Sequence, residues 1–154
     1  MSILGLQEAF LNAQIEKIDD IELLIPDIPA FIALKLLAWN ERRETKDLED
    51  ITFVLQNYQE DERVFEELYN KILEGQVEFD EAAIVLLGRD IQKVFSEQAL
   101  NKVREIVTQI LENQNQYLPR FVPKDLDGNA WDEALDKIVR RFQSLQYGLQ
   151  DSLA

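Results

Sequence analysis

Apolar residues recur at three- and four-residue spacing through most of this chain, while turn formers are scarce: five Gly and four Pro in 154 residues. That spacing gathers side chains on one face of an α-helix, whereas a strand alternates at two. So few turn residues argue against a sandwich or barrel of many short strands. The expected fold is α+β but predominantly helical, with a short N-terminal helix and a two-stranded hairpin remnant followed by about six helices. A single domain is expected over 1–154, with a sheet remnant at 1–28, a helical body at 29–112, a loop at 113–128 and a C-terminal helix at 129–148.

Leu4 to Ala13 suit a short helix. Beyond it, Ile15, Ile18, Ile21, Leu23 and Ile25 flank the acidic pair Asp19-Asp20 as two short strands flank a turn. Two strands alone are marginal in water, so this segment calls for more sheet, from a second copy or from a missing N-terminal half docking through residues 1–28. Pro29 suits the first position of a helix that is apolar almost all round from Phe31 to Trp39, the pattern of a helix enclosed by neighbours. Only Lys35 interrupts it. Thr45 is read as the N-cap of a second helix with Leu48, Ile51, Leu55 and Tyr58 on its core stripe, and Gly75 closes a third. Asp80 is read as the cap of a short fourth helix ending at Gly88, and Ser96 as the start of a fifth. Asn129 is read as the cap of the last, which ends before Gly148.

The chain has neither Cys nor His, which removes disulfides, thiol nucleophiles, Cys/His zinc sites and histidine acid–base chemistry together. Its net charge of -14 argues against a free-standing nucleic-acid binder and against an anionic membrane surface. No run of about 18 apolar residues and no basic, apolar leader is present, so no membrane span or signal peptide is expected and the expected address is cytoplasmic. The acid is concentrated: Met1 to Asp80 hold 19 acidic and 7 basic residues, Glu81 to Ala154 hold 11 and 9.

Chemical interest therefore falls on the few cations of the acidic half. Lys35 and Arg42 are seven residues apart, about 20° from alignment on a helical wheel if the helix runs that far. In one reading Lys35 extends its stem to water and Arg42 and Arg43 sit in a charged connector beside Glu41 and Glu44. In the other, Lys35 and Arg42 share a face and contact the phosphates of a nucleotide, Lys as a point charge and Arg as a fork. Asp47 and Asp50 follow at i, i+3 spacing, with Asp47 about 60° from the centre of the core stripe, a border position. Asp47 either faces the helix dipole while Lys46 pairs with Asp50, or it orients Lys35 or Arg42 or meets a substrate hydroxyl. A carboxylate-metal hydrolase using Glu41, Glu44, Asp47 and Asp50 is a weaker alternative, because both acid pairs lie next to each other across one helix start.

The stretch Ile28-Pro-Ala-Phe-Ile-Ala-Leu-Lys35-Leu-Leu-Ala-Trp39-Asn-Glu-Arg42-Arg-Glu-Thr-Lys46-Asp47-Leu-Glu-Asp50-Ile resembles the downstream motif of the AbiEii/AbiGii-type nucleotidyltransferases. In that pattern a Lys in an apolar helix precedes an Arg, then a basic residue with Asp and a further Asp. The opening Ile3-Leu-Gly-Leu-Gln-Glu-Ala-Phe10, the segment Leu86-Leu-Gly-Arg-Asp90 and the amphipathic C-terminus extend the likeness over most of the chain.

The resemblance implies transfer of a nucleotidyl group from a nucleoside triphosphate to an acceptor, with Mg2+ and in-line attack. It places Lys35, Arg42, Lys46, Asp47 and Asp50 at the nucleotide or acceptor and implies no catalytic or metal-binding residue here. The family's Gly-Gly or Gly-Ser turn and Asp-x-Asp strand have no counterpart, since Asp19 and Asp20 are adjacent and a strand sends neighbours to opposite faces. The chain thus reads as the C-terminal part of such an enzyme, truncated, split or degenerate. Mg2+ belongs to the complete family enzyme and is not expected on this chain alone, where triphosphate binding is expected to be weak and activity absent. The resemblance also implies a toxin role in a toxin–antitoxin system for the nucleotidyltransferase reading; the alternative function is a non-enzymatic helical interaction module derived from that family.

Overall fold

A computed structural model of the chain describes residues 4–11 and 13–151. Helix α1 (Leu6–Leu11) is shorter than the Leu4–Ala13 expectation, and Asn12 lies outside the described residues. Strands β1 (Gln14–Ile18) and β2 (Ile21–Ile25) pair antiparallel, with Ile18 opposite Ile21 and Gln14 opposite Ile25. Asp19 and Asp20 both take positive φ, 48° and 67°, as a two-residue hairpin turn with the right twist requires and as Asp tolerates better than most residues. All ten strand residues are exposed, so the hairpin buries neither face among the described residues.

Helix α2 (Ile28–Arg42) begins where Asp27 accepts a hydrogen bond from the Ala30 N–H at 3.0 Å, with Pro29 in the first turn. It is the axis of the main core, packed on α1, α3 (Thr45–Asn57), α5 (Ala82–Val94) and α6 (Glu97–Glu112), which accounts for its apolar character on nearly every side. Helix α4 (Asp61–Leu73) ends near Gly75, whose φ of +75° favours glycine, and closes a smaller core of Val64, Leu68, Val85 and Leu86. Ser96 caps α6 by accepting from the Ala99 N–H. Residues 113–128, expected as a loop, include the four-residue turn of helix α7 (Gln114–Tyr117) and a single 3-10 turn at Pro119–Phe121. Leu118 and Val122 pin this stretch to the core.

Five further boundaries differ from expectation. Thr45 is the first residue of α3, its cap position taken by Glu44 without a side-chain bond. Asp80 lies in a 3-10 turn (Phe79–Glu81) ahead of α5. Asp127, not Asn129, occupies the cap of α8 (Gly128–Gln150). The largest departure is that Gly88 and Gly148 end nothing: α5 runs through Gly88 to Val94 and α8 runs through Gly148 to Gln150.

Those two glycines are where α5 and α8 touch backbone to backbone. A Cβ on Gly88 would lie 2.7 Å from the Gly148 carbonyl carbon, and one on Gly148 would run into the Val85 carbonyl oxygen. The end of α8 is then tied down: Gln92 donates to the Gly148 carbonyl at 2.6 Å, Arg104 donates to the Leu149 carbonyl at 2.7 Å, and Arg89 pairs with Asp151. These bonds satisfy carbonyls that a helix C-terminus leaves without partners. Gly148→Ala is expected to lower stability by about 1–3 kcal/mol through overpacking, although helix propensity alone favours Ala by roughly 1 kcal/mol. Denaturant unfolding checks this; a variant as stable as the parent would show that the helices move apart at little cost.

Candidate functional site

The site forms because α2 continues to Arg42, which brings Lys35 and Arg42 onto one face two turns apart, and because α3 turns back against it. The carboxylate between them is Asp47, whose side chain is 1% exposed; among the described residues it is the one charged side chain counted with the core. Its expected border position is therefore corrected: α2 covers it. A buried carboxylate is costly unless paired and hydrogen-bonded. Arg42 supplies a fork, donating from Nε to Oδ2 and from Nη2 to Oδ1, each at 2.7 Å. Lys35 Nζ adds a third donor to Oδ1 at 3.4 Å.

Lys35 is shared. Its Nζ lies 3.0 Å from Asp50 Oδ2, while Lys46 Nζ reaches Asp50 Oδ1 at 2.9 Å across one turn of α3. Glu44 lies 3.7 Å from Arg42, and the Lys35 ammonium stands 5.6 Å from the Phe31 ring centroid. Part of each local reading is seen: Lys46 pairs with Asp50, and Asp47 accepts from both Lys35 and Arg42. The Arg42 guanidinium holds the Asp47 carboxyl below the usual carboxylate range, with burial opposing and Lys35 assisting. Asp50 is lowered chiefly by its bond from Lys46, then by Lys35.

Beside the cations lies a mainly apolar hollow of about 210 Å3 lined by Leu4, Leu6, Phe31, Leu34, Leu37 and Ala38, with Lys35, Arg42 and the acidic Glu41 at its wall. Sequence reasoning missed this hollow, because the contact of Leu4 and Leu6 with α2 is set by the chain's path between them. Arg43 was grouped with Arg42 as connector; it takes φ of +52° and leaves in another direction, its guanidinium 4.3 Å from the Trp39 ring. Among the described residues no set of three or more His, Cys, Asp or Glu side chains is arranged to hold a metal ion. The oxygens of Asp47 and Asp50 are instead taken by Lys and Arg. No helix of the described residues is long and apolar enough to cross a membrane.

A family profile described as nucleotidyl transferase AbiEii toxin, type IV TA system, matches residues 3–140. The chain belongs to that family. No curated protein and no solved structure matches it. In this AbiEii-family chain the Lys–Arg–Asp–Asp stretch is thus a closed network, with Asp47 as its buried centre.

Asp47→Asn keeps the shape but removes the charge that two cations share, and is expected to cost roughly 2 kcal/mol, discounted from a fully buried pair because both cations reach water. This exceeds the several tenths of a kcal/mol that a first-turn acid facing the helix dipole would supply. Because the folded-state pKa of Asp47 is depressed, its stabilisation is present above the unfolded Asp value of about 3.9 and is lost as pH falls through the lower folded value. Denaturation midpoints of parent and Asp47→Asn should therefore differ at pH 7 and converge below about pH 4. Parallel curves across that range would place the stabilisation elsewhere.

Proposed function

We propose that this chain supplies the triphosphate-facing helical part of a nucleotidyltransferase, an enzyme that moves a nucleotidyl group from a nucleoside triphosphate to an acceptor. One observation carries the reading: a buried carboxylate, Asp47, holds Lys35 and Arg42 together on a face that borders an apolar hollow. Lys35 remains 24% exposed and Arg42 52%, so both reach a polyanion without leaving Asp47. Arg42 spends Nε and Nη2 on Asp47, which leaves Nη1 for a phosphate oxygen. The hollow suits the less polar part of a nucleotide. Asp47 and Asp50 are positioning residues, and Lys46 reaches the site through Asp50.

Cations fixed in advance lower the reorganisation needed as charge shifts along the triphosphate in an in-line displacement. The family reaction draws on Mg2+, but the carboxylates of this network do not fit it, since their oxygens already accept from Lys and Arg. The chain alone is therefore inferred to bind nucleotide weakly without transferring it. A cytoplasmic setting, where nucleoside triphosphates are abundant, and a toxin role fit the same reading.

Titration with a nucleoside triphosphate, followed by amide NMR, is expected to shift signals of residues 31–42, less so as salt rises. Lys35→Ala should abolish those shifts and leave the melting temperature within a few degrees, because removing a partly buried ammonium also removes a desolvation cost. No shifts at low salt, together with a strongly lowered melting temperature for Lys35→Ala, would make the network purely structural.

We further propose that the hairpin is completed by additional sheet, from another copy of the chain or a separate N-terminal half. Ile18, Ile21, Leu23 and Ile25 share one face of it and are 43–61% exposed. Sedimentation is expected to show association that Ile21→Lys with Leu23→Lys weakens. A monomer at high concentration that takes up no sheet-bearing family segment would oppose this.

A further inference from the structure

A second cleft, of about 220 Å3, opens between the end of α2, the start of α3 and the 113–121 segment. Its walls include Trp39, Arg43, Thr45, Tyr117, Arg120 and Phe121, none of which belongs to the Lys35–Arg42–Asp47–Asp50 network. Two arginines meet there in a chain of net charge -14. Among the described residues neither has a carboxylate within ion-pair distance, whereas Arg42, Arg63, Arg89, Arg104 and Arg140 all do.

Neutral groups hold the two guanidiniums in place. Arg43 lies over the Trp39 ring and donates to the Tyr117 hydroxyl at 3.0 Å, the Gln109 side-chain carbonyl at 3.1 Å and the Asn40 backbone carbonyl at 3.3 Å. Tyr117 in turn sets its ring edge-on to Trp39, centroids 4.9 Å apart. Arg120 donates from Nη1 to the Thr45 hydroxyl at 2.6 Å. A guanidinium carries five N–H donors, so that single bond leaves most of its fork unspent. The aromatic framework thus fixes the direction of Arg43, the Thr45 hydroxyl holds Arg120, and neither charge is compensated by a carboxylate. Their pairing is tertiary: Arg43 follows α2 and Arg120 stands in the later segment, brought near by the Thr45 and Tyr117 contacts.

We propose that this cleft binds the phosphate group of a phosphate monoester. Two uncompensated guanidiniums match a group carrying about -1.5 to -2 charge better than they match a single carboxylate, and the fork geometry suits phosphate oxygens. The Tyr117 and Thr45 hydroxyls stand at the same wall and can turn to donate to the remaining oxygens. The volume is below that of pockets enclosing a whole drug-sized ligand, roughly 300–1,000 Å3, so the cleft holds the phosphate and the adjoining sugar-sized group while the remainder projects into solvent.

The test is a low-salt titration of the full chain with inorganic phosphate, ribose 5-phosphate and acetate, observed through arginine Nε and tryptophan indole NMR signals. Both phosphates are expected to shift the Arg43 and Arg120 Nε signals and the Trp39 indole signal, with ribose 5-phosphate the tighter of the two. Arg120→Ala should weaken binding about tenfold or more, the scale of one charge-assisted fork. Arg120 is exposed, so this replacement leaves the core intact. Arg43→Lys, which keeps the charge and loses the fork, should weaken binding less than Arg120→Ala. Lys35→Ala should leave ribose 5-phosphate binding unchanged, so this site and the triphosphate reading fail separately. No Nε shift with either phosphate, acetate binding as tightly as phosphate, or Arg120→Ala binding like the parent would each overturn the proposal.

Discussion

The carboxylate of Asp47 is the constraint around which the contact between α2 and α3 is arranged. A buried anion is costly unless it is paired and hydrogen-bonded, and here a guanidinium fork and an ammonium do this together. Arg42 and Lys35 provide them from the same helix, two turns apart, so α2 must stay regular to its last residue and α3 must start against it. Asp50 then falls one turn along α3, where Lys35 and Lys46 neutralise it. Helix geometry and charge compensation therefore produce one rigid cation pair beside an apolar hollow.

A second constraint, at the opposite side of the core, is steric. Helices α5 and α8 meet at Gly88 and Gly148 with no side chain between them, and the last carbonyls of α8 accept from Gln92 and Arg104. This close crossing brings Phe142 and Leu145 fully into the core shared with α2 and α6. Helix α2 is thus held by packing against α5, which α8 meets backbone to backbone, and by the ion pairs that tie it to α3.

Around the end of α2 the consecutive residues Arg42 and Arg43 have separate fates. Arg42, the last helical residue, is spent on Asp47. Arg43 takes the left-handed conformation, unusual for a side-chain-bearing residue, and is carried over Trp39. A single residue in αL thereby divides one basic dipeptide between two sites: one compensated by carboxylates, one held by neutral groups. The hairpin lies outside this economy, with its apolar residues facing water on both sides.

Periodicity and turn signals determined the helical class, the hairpin with its Asp19-Asp20 turn, the enclosed character of α2 and the core stripe of α3, because these depend on spacing within one element. The Lys–Arg–Asp–Asp stretch was legible as a motif running across two successive helices, and the family through its resemblance to that motif rather than through periodicity. Gly88 and Gly148 were misread as helix ends because glycine marks both a left-handed terminus and a close crossing, and only the facing backbone tells them apart. Asp47 looked like a border residue because a wheel knows its own helix and not the one laid over it. Arg43 and Arg120 could not be paired from sequence, since two arginines distant in the chain meet only when Trp39, Tyr117 and Thr45 have been packed. Local order follows from residue spacing; which charges are buried, compensated or left open is decided by which elements the tertiary fold brings face to face.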